Sequence, residues 1–286
     1  MKHSLVCALG LAMALASGSS SAQAPAQVGS QVPGYFRLAV GDFEVTALFD
    51  GYNDLSPKLL KGLTQSQIRA LLARRSIETP GVQTAFNAFL INTGKQLILV
   101  DTGAGQCIGA TAGMLSDNMK AAGYEPSQVD TILLTHLHLD HVCGLVDGQQ
   151  KPVFANATVY AAKAEADYWL DPQALAKAPE GAKPYFKIAQ DSTAPYVAAG
   201  RFKTFDAGQS PVPGVEATLE ADTHRAAPRT VLLRRGRASC SWAIWCITSR
   251  CSSCTRKSRS ALTSTVSKRS KAAPRCSAMQ PPVKPG

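Results

Sequence analysis

The hexapeptide His-Leu-His-Leu-Asp-His at residues 136–141 is the part of the chain best suited to chemistry. It holds three of the five histidines, with an aspartate between two of them. His136 and His138 are two residues apart, so in an extended chain both rings fall on one side and converge on one ion. Asp140 and His141 follow where the chain must turn, and they would bind a neighbouring ion. Imidazole suits zinc and other late first-row metals, and the carboxylate permits a second, harder site.

A site with these ligands predicts metal-assisted hydrolysis. When a bound ion keeps an open coordination position, its water loses a proton near neutral pH, and the metal-bound hydroxide becomes a nucleophile that can bridge two ions. The ions would stabilise the developing oxyanion, and Asp140 would act as the catalytic carboxylate that positions the nucleophile. We therefore expect a metal-dependent hydrolase.

Asp101 is a further candidate residue, in an Asp-Thr-Gly turn that follows a short apolar segment. One interpretation is a carboxylate that orients a histidine ligand from behind. The other is an ordinary turn-forming residue. The sequence leaves both open.

The elements that must position these residues alternate between strands and helices. The strand over residues 131–134 is buried and delivers the hexapeptide. Such alternation predicts an α/β layered fold. A β-hairpin is predicted over residues 36–48, strands over 86–92, 96–100, 131–134 and 155–161, and helices over 66–75, 114–122 and 163–170.

Residues 1–24 have the pattern of a secretory signal. Lys2 and His3 precede an apolar run over residues 5–16, which is too short to span a bilayer, and small polar residues follow it. A buried N-terminal helix is the alternative. The signal predicts a periplasmic or secreted protein with no membrane segment after processing. Such a compartment would permit disulfides, and Cys107 and Cys143 are the two cysteines between residues 25 and 220.

The net charge of +10 is concentrated in residues 221–286, which hold 14 of the 30 Lys and Arg and one of the 20 acidic residues. The rest of the chain is mildly acidic, which argues against nucleic acid as a partner of the main domain, residues 25–220. The tail is rich in Arg, Ser and Cys and has no helical or strand period. A natural basic disordered tail is one interpretation of it.

The hexapeptide and its surroundings resemble the metallo-β-lactamase superfamily, whose signature is HxHxDH after a short strand. Segments around residues 34–48, 99–104, 121–124 and 164–170 are similar to the methyl parathion hydrolase branch. The resemblance runs from about residue 34 to residue 214. It implies an αββα sandwich in an exported and commonly dimeric hydrolase. It also implies two metal ions, usually zinc, and phosphotriester, ester or lactone substrates.

The resemblance also assigns roles by position. His136 and His138 would bind the first metal, and the ligands at 140 and 141 the second. Trp169 and Phe186 fall where two aromatic rings of the family's leaving-group pocket lie, and Ile108 stands where a third is expected. The alternative is that the two aromatic residues are ordinary core residues. Cys143 replaces a glycine that this branch has directly after the hexapeptide.

The chain departs from the family beyond the segment that resembles it. Three further ligands are expected there: a His in a Gly-His-Thr-Pro-Gly turn, an Asp and a final His. None is in register, and His224 is the last histidine. A one-base shift of reading frame between about residues 217 and 221 would restore the first two motifs. We therefore hypothesise an out-of-frame tail and an incomplete second half of the sandwich.

Several functions stay open on this basis. A β-lactamase or a thioesterase of the same superfamily is the alternative enzyme. An inactive product of a damaged gene is another alternative. In the non-enzymatic alternative, the basic tail binds nucleic acid or an anionic surface.

Overall fold

The computed structural model describes residues 24–60, 62–77, 81–206, 209, 211–213, 215–217 and 231–232. The predicted signal apart from residue 24, and the predicted tail apart from residues 231–232, lie outside this set. The chain divides into two compact units, Met1–Val32 and Pro33–Gly286. In the first unit, residues 24–32 form neither helix nor strand.

The second unit is built on a seven-stranded mixed sheet in which the strands lie side by side in chain order. The first four strands are antiparallel, and the fourth to the seventh are parallel. The strands are β1 (Tyr35–Val40), β2 (Phe43–Leu55), β3 (Val82–Asn92), β4 (Leu97–Val100), β5 (Thr131–Leu133), β6 (Thr158–Ala162) and β7 (Phe202–Phe205). Two short strands, β8 (Glu216–Ala217) and β9 (Val231–Leu232), pair separately.

In the part of the chain that the structure describes, six α-helices connect and cover the strands. Their sequences supply recognisable start signals: Thr64 and Gln67 form a capping box at the first helix, and Asp171 caps the fifth through its side chain. The helices are α1 (Gln65–Ala73), α2 (Leu115–Ala121), α3 (Leu139–Val142), α4 (Lys163–Trp169), α5 (Pro172–Lys177) and α6 (Lys183–Ala198). Short 3₁₀ turns span Pro57–Leu59, Pro126–Gln128 and Cys143–Leu145.

The sheet buries apolar side chains on both faces. In β4 all four residues are buried, and alternate side chains belong to different cores. Leu97 and Leu99 join the larger core with residues of α2, α3 and α6. Ile98 and Val100 point to the opposite face and join a smaller core that includes Val212. Two-sided burial is expected of a sheet that forms an inner layer of a sandwich.

The predicted α/β class is confirmed, and each predicted element appears within a few residues of its expected bounds. The hairpin turns at Gly41, which has a φ of 62°, and β2 extends beyond the predicted end. The sequence pattern does not predict α5, α6 or β7, and α6 even contains Pro195 near its end. Among the described residues, no helix combines the length and apolar character needed to cross a bilayer.

Candidate metal centre

The hexapeptide lies where β5 ends and α3 begins. Leu134 still donates a backbone hydrogen bond to Tyr160 of β6, at 2.8 Å, and His138 keeps an extended backbone with φ −78° and ψ 158°. The His138 carbonyl then accepts the N–H groups of His141 and Val142 at 3.0 and 3.2 Å. The chain therefore turns directly after His138, as predicted, and the last two candidate ligands lie in the first turn of a helix.

This turn brings three candidate ligands together. One ligand atom each from His136, Asp140 and His141 lies within 4.8 Å of the others. The rings of the two histidines are 4.0 Å apart between centroids, and His141 Nε2 is 3.2 Å from Asp140 Oδ2. Two imidazoles and a carboxylate converging at this spacing fit a divalent cation of zinc type. The structure thus contains a candidate metal centre at the hexapeptide.

His138 lies beside this group. Its ring is 4.7 Å from that of His136, and on another side it meets Trp169 at 5.1 Å. In the extended segment, His136 and His138 lie on the same side of the chain. The turn into α3 then brings Asp140 and His141 back toward His136. The division of the four ligands between two ions stays a prediction.

Asp101 contacts the hexapeptide from behind. Its Oδ2 lies 2.8 Å from His141 Nδ1, and its Oδ1 accepts the backbone N–H of Thr135 at 2.8 Å. Its own backbone has φ 61°, a left-handed conformation that is uncommon outside glycine. Such strain is typical of functional sites, where surrounding contacts hold it in place. With Nδ1 facing Asp101, the Nε2 atom of His141 faces the metal centre, which is the arrangement expected of an orienting carboxylate.

The electrostatics of the centre favour a cation. Burial raises the pKa of Asp140, but the hydrogen bond and charge of His141, with the charge of His138, outweigh it, so the pKa lies below its usual value. The carboxylate is therefore ionised at neutral pH. Asp101, a second carboxylate, is buried and contacts the other nitrogen of the His141 ring. Negative charge held out of water is costly unless it is paired or coordinates a metal.

An aromatic cluster borders the centre on the side of His138. The rings of Trp169 and Phe186 are 4.6 Å apart, and Tyr168 contacts both at 5.1 and 5.0 Å. Phe186 is buried, Trp169 is half-buried and Tyr168 is 41% exposed, so the cluster runs from the core to the surface. Ile108 is half-buried in the loop before α2. The proposed substrate role of these residues stays a prediction.

A family model described as Metallo-beta-lactamase superfamily matches residues 84–227, half of the 286-residue chain. The chain belongs to the metallo-β-lactamase superfamily. The predicted family is therefore confirmed, and at family level the protein is a metallo-hydrolase. The methyl parathion hydrolase branch stays a prediction.

Two solved structures resemble this superfamily member over most of its length. Hydrolase AbOPH, of the beta lactamase superfamily, is 42% identical with a TM-score of 0.66, and the match covers 72% of each chain. AidC, a dizinc quorum-quenching lactonase in complex with a product, N-hexanoyl-L-homoserine, is 25% identical with a TM-score of 0.62 over 71% of each chain. These matches agree with the sandwich predicted for the chain.

A curated protein, atrochrysone carboxyl ACP thioesterase of Passalora fulva, matches a short segment. It is 39% identical over 61 residues. The match covers 21% of this chain and 17% of that protein. This short match leaves the substrate open.

Sequence reasoning missed a disulfide next to the centre of this metallo-β-lactamase superfamily protein. Cys107, in the loop after β4, is bonded to Cys143, directly after α3. The two segments already touch, because Thr102 donates both its N–H and its hydroxyl to the His141 carbonyl at 2.9 and 2.8 Å. A Cβ on Gly144 would lie 1.8 Å from the Thr102 carbonyl oxygen, so only glycine fits there. The signal available in the sequence was that the main domain contains two cysteines, which could pair with each other.

Asp50 was also missed. Its side chain is fully buried near the middle of β2 and accepts the N–H groups of Ala104 and Leu115 at 2.7 and 3.1 Å. Burial raises the pKa of this carboxyl, while these backbone hydrogen bonds lower it in part. Asp50 therefore holds both ends of the loop that runs from β4 to α2. Its sequence context, an Asp-Gly pair, indicates only a turn.

Proposed function

We propose that this protein is an exported hydrolase of small ester-like substrates that binds two divalent metal ions, zinc in both positions. Lactones are its first candidate substrates and phosphotriesters the second. The observation that carries the proposal is the convergence of His136, Asp140 and His141 within 4.8 Å beside an aromatic cluster.

Zinc is the proposed metal because the donors are imidazoles with one carboxylate, which suit this ion. The similarity to AidC, which is a dizinc lactonase, supports the same assignment. When bound in such a site, zinc lowers the pKa of a coordinated water toward neutrality and polarises a carbonyl or phosphoryl oxygen.

The residues of the chain divide the remaining tasks. His136, His138, Asp140 and His141 would hold the two ions, and Asp101 fixes the ring of His141 through Nδ1. Asp140 is ionised and its side chain is 27% exposed, so its carboxylate can accept a hydrogen bond on the open side of the site. There it orients the attacking water by hydrogen bonding.

The aromatic cluster supports a substrate with an apolar group. Trp169 lies 5.1 Å from the His138 ring, so one wall of the site is apolar directly beside a candidate ligand. Aromatic rings bury acyl chains and aryl groups well. An acyl lactone and an aryl phosphotriester both place such a group next to the bond that is cleaved.

A substrate panel tests the reaction. The purified protein, supplied with zinc, is assayed with an acyl homoserine lactone, a paraoxon-like phosphotriester, an acyl thioester and a cephalosporin. We expect lactone or phosphotriester turnover that a chelator abolishes and added zinc restores. Turnover of the thioester or the cephalosporin alone would favour the other enzymes of the superfamily. No zinc-dependent turnover of any of the four would contradict the proposal.

Export is supported by two observations. Residues 1–24 have the charge and hydropathy pattern of a secretory signal. The Cys107–Cys143 disulfide is typical of an oxidising compartment. Fractionation of expressing cells, with N-terminal sequencing of the product, tests this: we expect a shortened protein in the periplasm or medium. Full-length protein in the cytoplasm would contradict it.

The out-of-frame origin of residues 221–286 is a separate proposal. Its support is the loss of strand and helix patterns and the absence of the expected downstream ligands in that part of the sequence. Independent sequencing of the gene tests it. A shifted base near codons 217–221 is expected, and an uninterrupted frame in independent reads would contradict it.

A further inference from the structure

A buried carboxylate, Glu165, lies close to the metal centre in the first turn of α4. The residue has 0% exposed surface. Glutamate is rarely buried to this degree unless its carboxylate is paired or hydrogen-bonded, because removing a charge from water is costly. A structural or functional role is therefore expected for this buried carboxylate.

Glu165 contacts the hexapeptide through a hydrogen bond. Its Oε2 accepts the backbone N–H of Leu137 at 3.0 Å, across 28 residues of sequence. Leu137 is itself fully buried and lies between His136 and His138. A buried N–H group that loses its acceptor destabilises the conformation in which it is buried. The carboxylate therefore stabilises this particular backbone conformation of the hexapeptide.

Two carboxylates hold the backbone on both sides of His136. Asp101 accepts the N–H of the preceding residue, Thr135, and Glu165 accepts that of the following one, Leu137. The same helix that begins near Glu165 ends at Trp169, whose ring meets His138. Helix α4 thus contacts the hexapeptide at both of its ends.

We infer that Glu165 is a positioning residue of the metal centre. Its hydrogen bond to Leu137 fixes the direction of the His136 and His138 side chains toward the ion. This inference rests on the proposed function, since it requires that these histidines bind metal. Groups that orient ligands in this indirect way typically change metal affinity by roughly 10- to 100-fold when they are removed.

Two conservative variants of Glu165 separate the effect of side-chain length from the effect of charge. Glu165→Gln keeps the length of the side chain and an oxygen that accepts the Leu137 N–H. Glu165→Asp keeps the charge and shortens the side chain by one methylene. If the hydrogen bond matters, Gln retains zinc affinity within about threefold, whereas Asp lowers it by roughly tenfold or more.

The control is Tyr196→Phe. The Tyr196 hydroxyl accepts the backbone N–H of Phe154 at 3.2 Å and donates to the Leu145 carbonyl at 3.0 Å, and all three residues are buried. Its removal therefore also deprives a buried N–H of a side-chain acceptor. We expect this variant to unfold at a lower temperature than the unaltered protein when both are free of metal, with unchanged zinc affinity.

The measurement is zinc affinity by competition with a chromophoric chelator, together with thermal unfolding of each metal-free protein. Loss of affinity in Glu165→Asp alone supports the inference. Equal affinity in all forms overturns it, as does a larger loss in Glu165→Gln than in Glu165→Asp. An equal loss in Glu165→Asp and Tyr196→Phe shows a general loosening of the fold and also overturns it. Absence of zinc binding by the unaltered protein overturns the proposed function itself.

Discussion

The two sides of the metal centre are built differently. On the inner side, His136 and His141 are buried, and Asp101, Thr135 and backbone groups surround them with hydrogen bonds of 2.8 to 3.4 Å. On the outer side, the candidate ligands at 138 and 140 are partly exposed and lie near an aromatic cluster. The inner side is arranged to fix geometry, and the outer side is the one that we propose meets a substrate.

The two sides also draw on different parts of the fold. Inner contacts come from strands and their immediate continuations, where small displacements are resisted by close packing. Outer aromatic contacts come from Trp169 at the end of α4 and from Phe186 in α6, whereas Glu165 in the first turn of the same α4 belongs to the inner side. Variants on the inner side should therefore lose metal affinity, whereas variants on the outer side should lose substrate affinity.

The largest effect is expected at an inner ligand. His136→Ala removes a donor that the fold holds buried, so metal assistance worth several kcal/mol is lost and turnover should fall by roughly a thousandfold or more. Steady-state kinetics on the substrate identified in the panel measure it. Asp167→Ala, on an exposed side chain of α4, is the control and should leave turnover unchanged. Equal activity of both variants would remove the distinction between the two sides.

The disulfide should have the next largest effect, through stability. The double variant Cys107→Ser, Cys143→Ser opens a cross-link between residues 36 apart, which in the chain-entropy account costs about 3 to 4 kcal/mol of unfolding free energy. Urea unfolding measures the loss. A reductant should lower the stability of the unaltered protein and leave the variant unchanged. If the reductant has no effect on the unaltered protein, the cross-link does not stabilise it.

A smaller effect is expected at Asp101, which lies behind the candidate ligand His141. Asp101→Asn keeps an oxygen for Thr135 but removes the charge facing His141 Nδ1, so zinc affinity should fall by roughly 10- to 100-fold. Chelator competition measures it. Asp130→Asn is the matched control, because Asp130 also accepts a backbone N–H, that of Leu97 at 2.8 Å. Equal affinities in the two variants would show that Asp101 only shapes its turn.

The smallest effect is expected on the outer side. Trp169→Ala should raise KM by about tenfold, with zinc content unchanged, because it removes one apolar wall of the substrate site. Trp169→Phe should retain most of the affinity. Tyr185→Ala, at a 46% exposed aromatic residue of α6, is the control. A loss of zinc from Trp169→Ala would contradict the division between the two sides.

Local patterns predicted most of the fold. The Gly41 hairpin, the apolar strands before residues 101 and 136 and the helix ending at residue 121 follow from periodicity and turn chemistry. Helix α6 does not follow from such patterns, because Pro195 interrupts its helical pattern. The fold tolerates this proline because it lies near the end of the helix.

The candidate site was only partly predictable. The ligand types and the turn after His138 could be read from the hexapeptide, whereas the helix that begins at Leu139 and brings Asp140 and His141 beside His136 could not. The predicted division of the four ligands between two ions stays a prediction. Glu165, Asp50 and the disulfide act over 28 to 65 residues of sequence. Such contacts depend on how strands are ordered in the sheet, which periodicity does not reveal.

Metal content tests the central claim most directly. The unaltered protein and the double variant His136→Ala, His141→Ala are dialysed against buffered free zinc, and the zinc per chain is then counted by mass spectrometry. We expect at least about one zinc per chain in the unaltered protein and a loss of that zinc in the variant. Equal zinc content in the two proteins, or none in the unaltered protein, would contradict the claim that the buried histidines at 136 and 141 hold a metal ion.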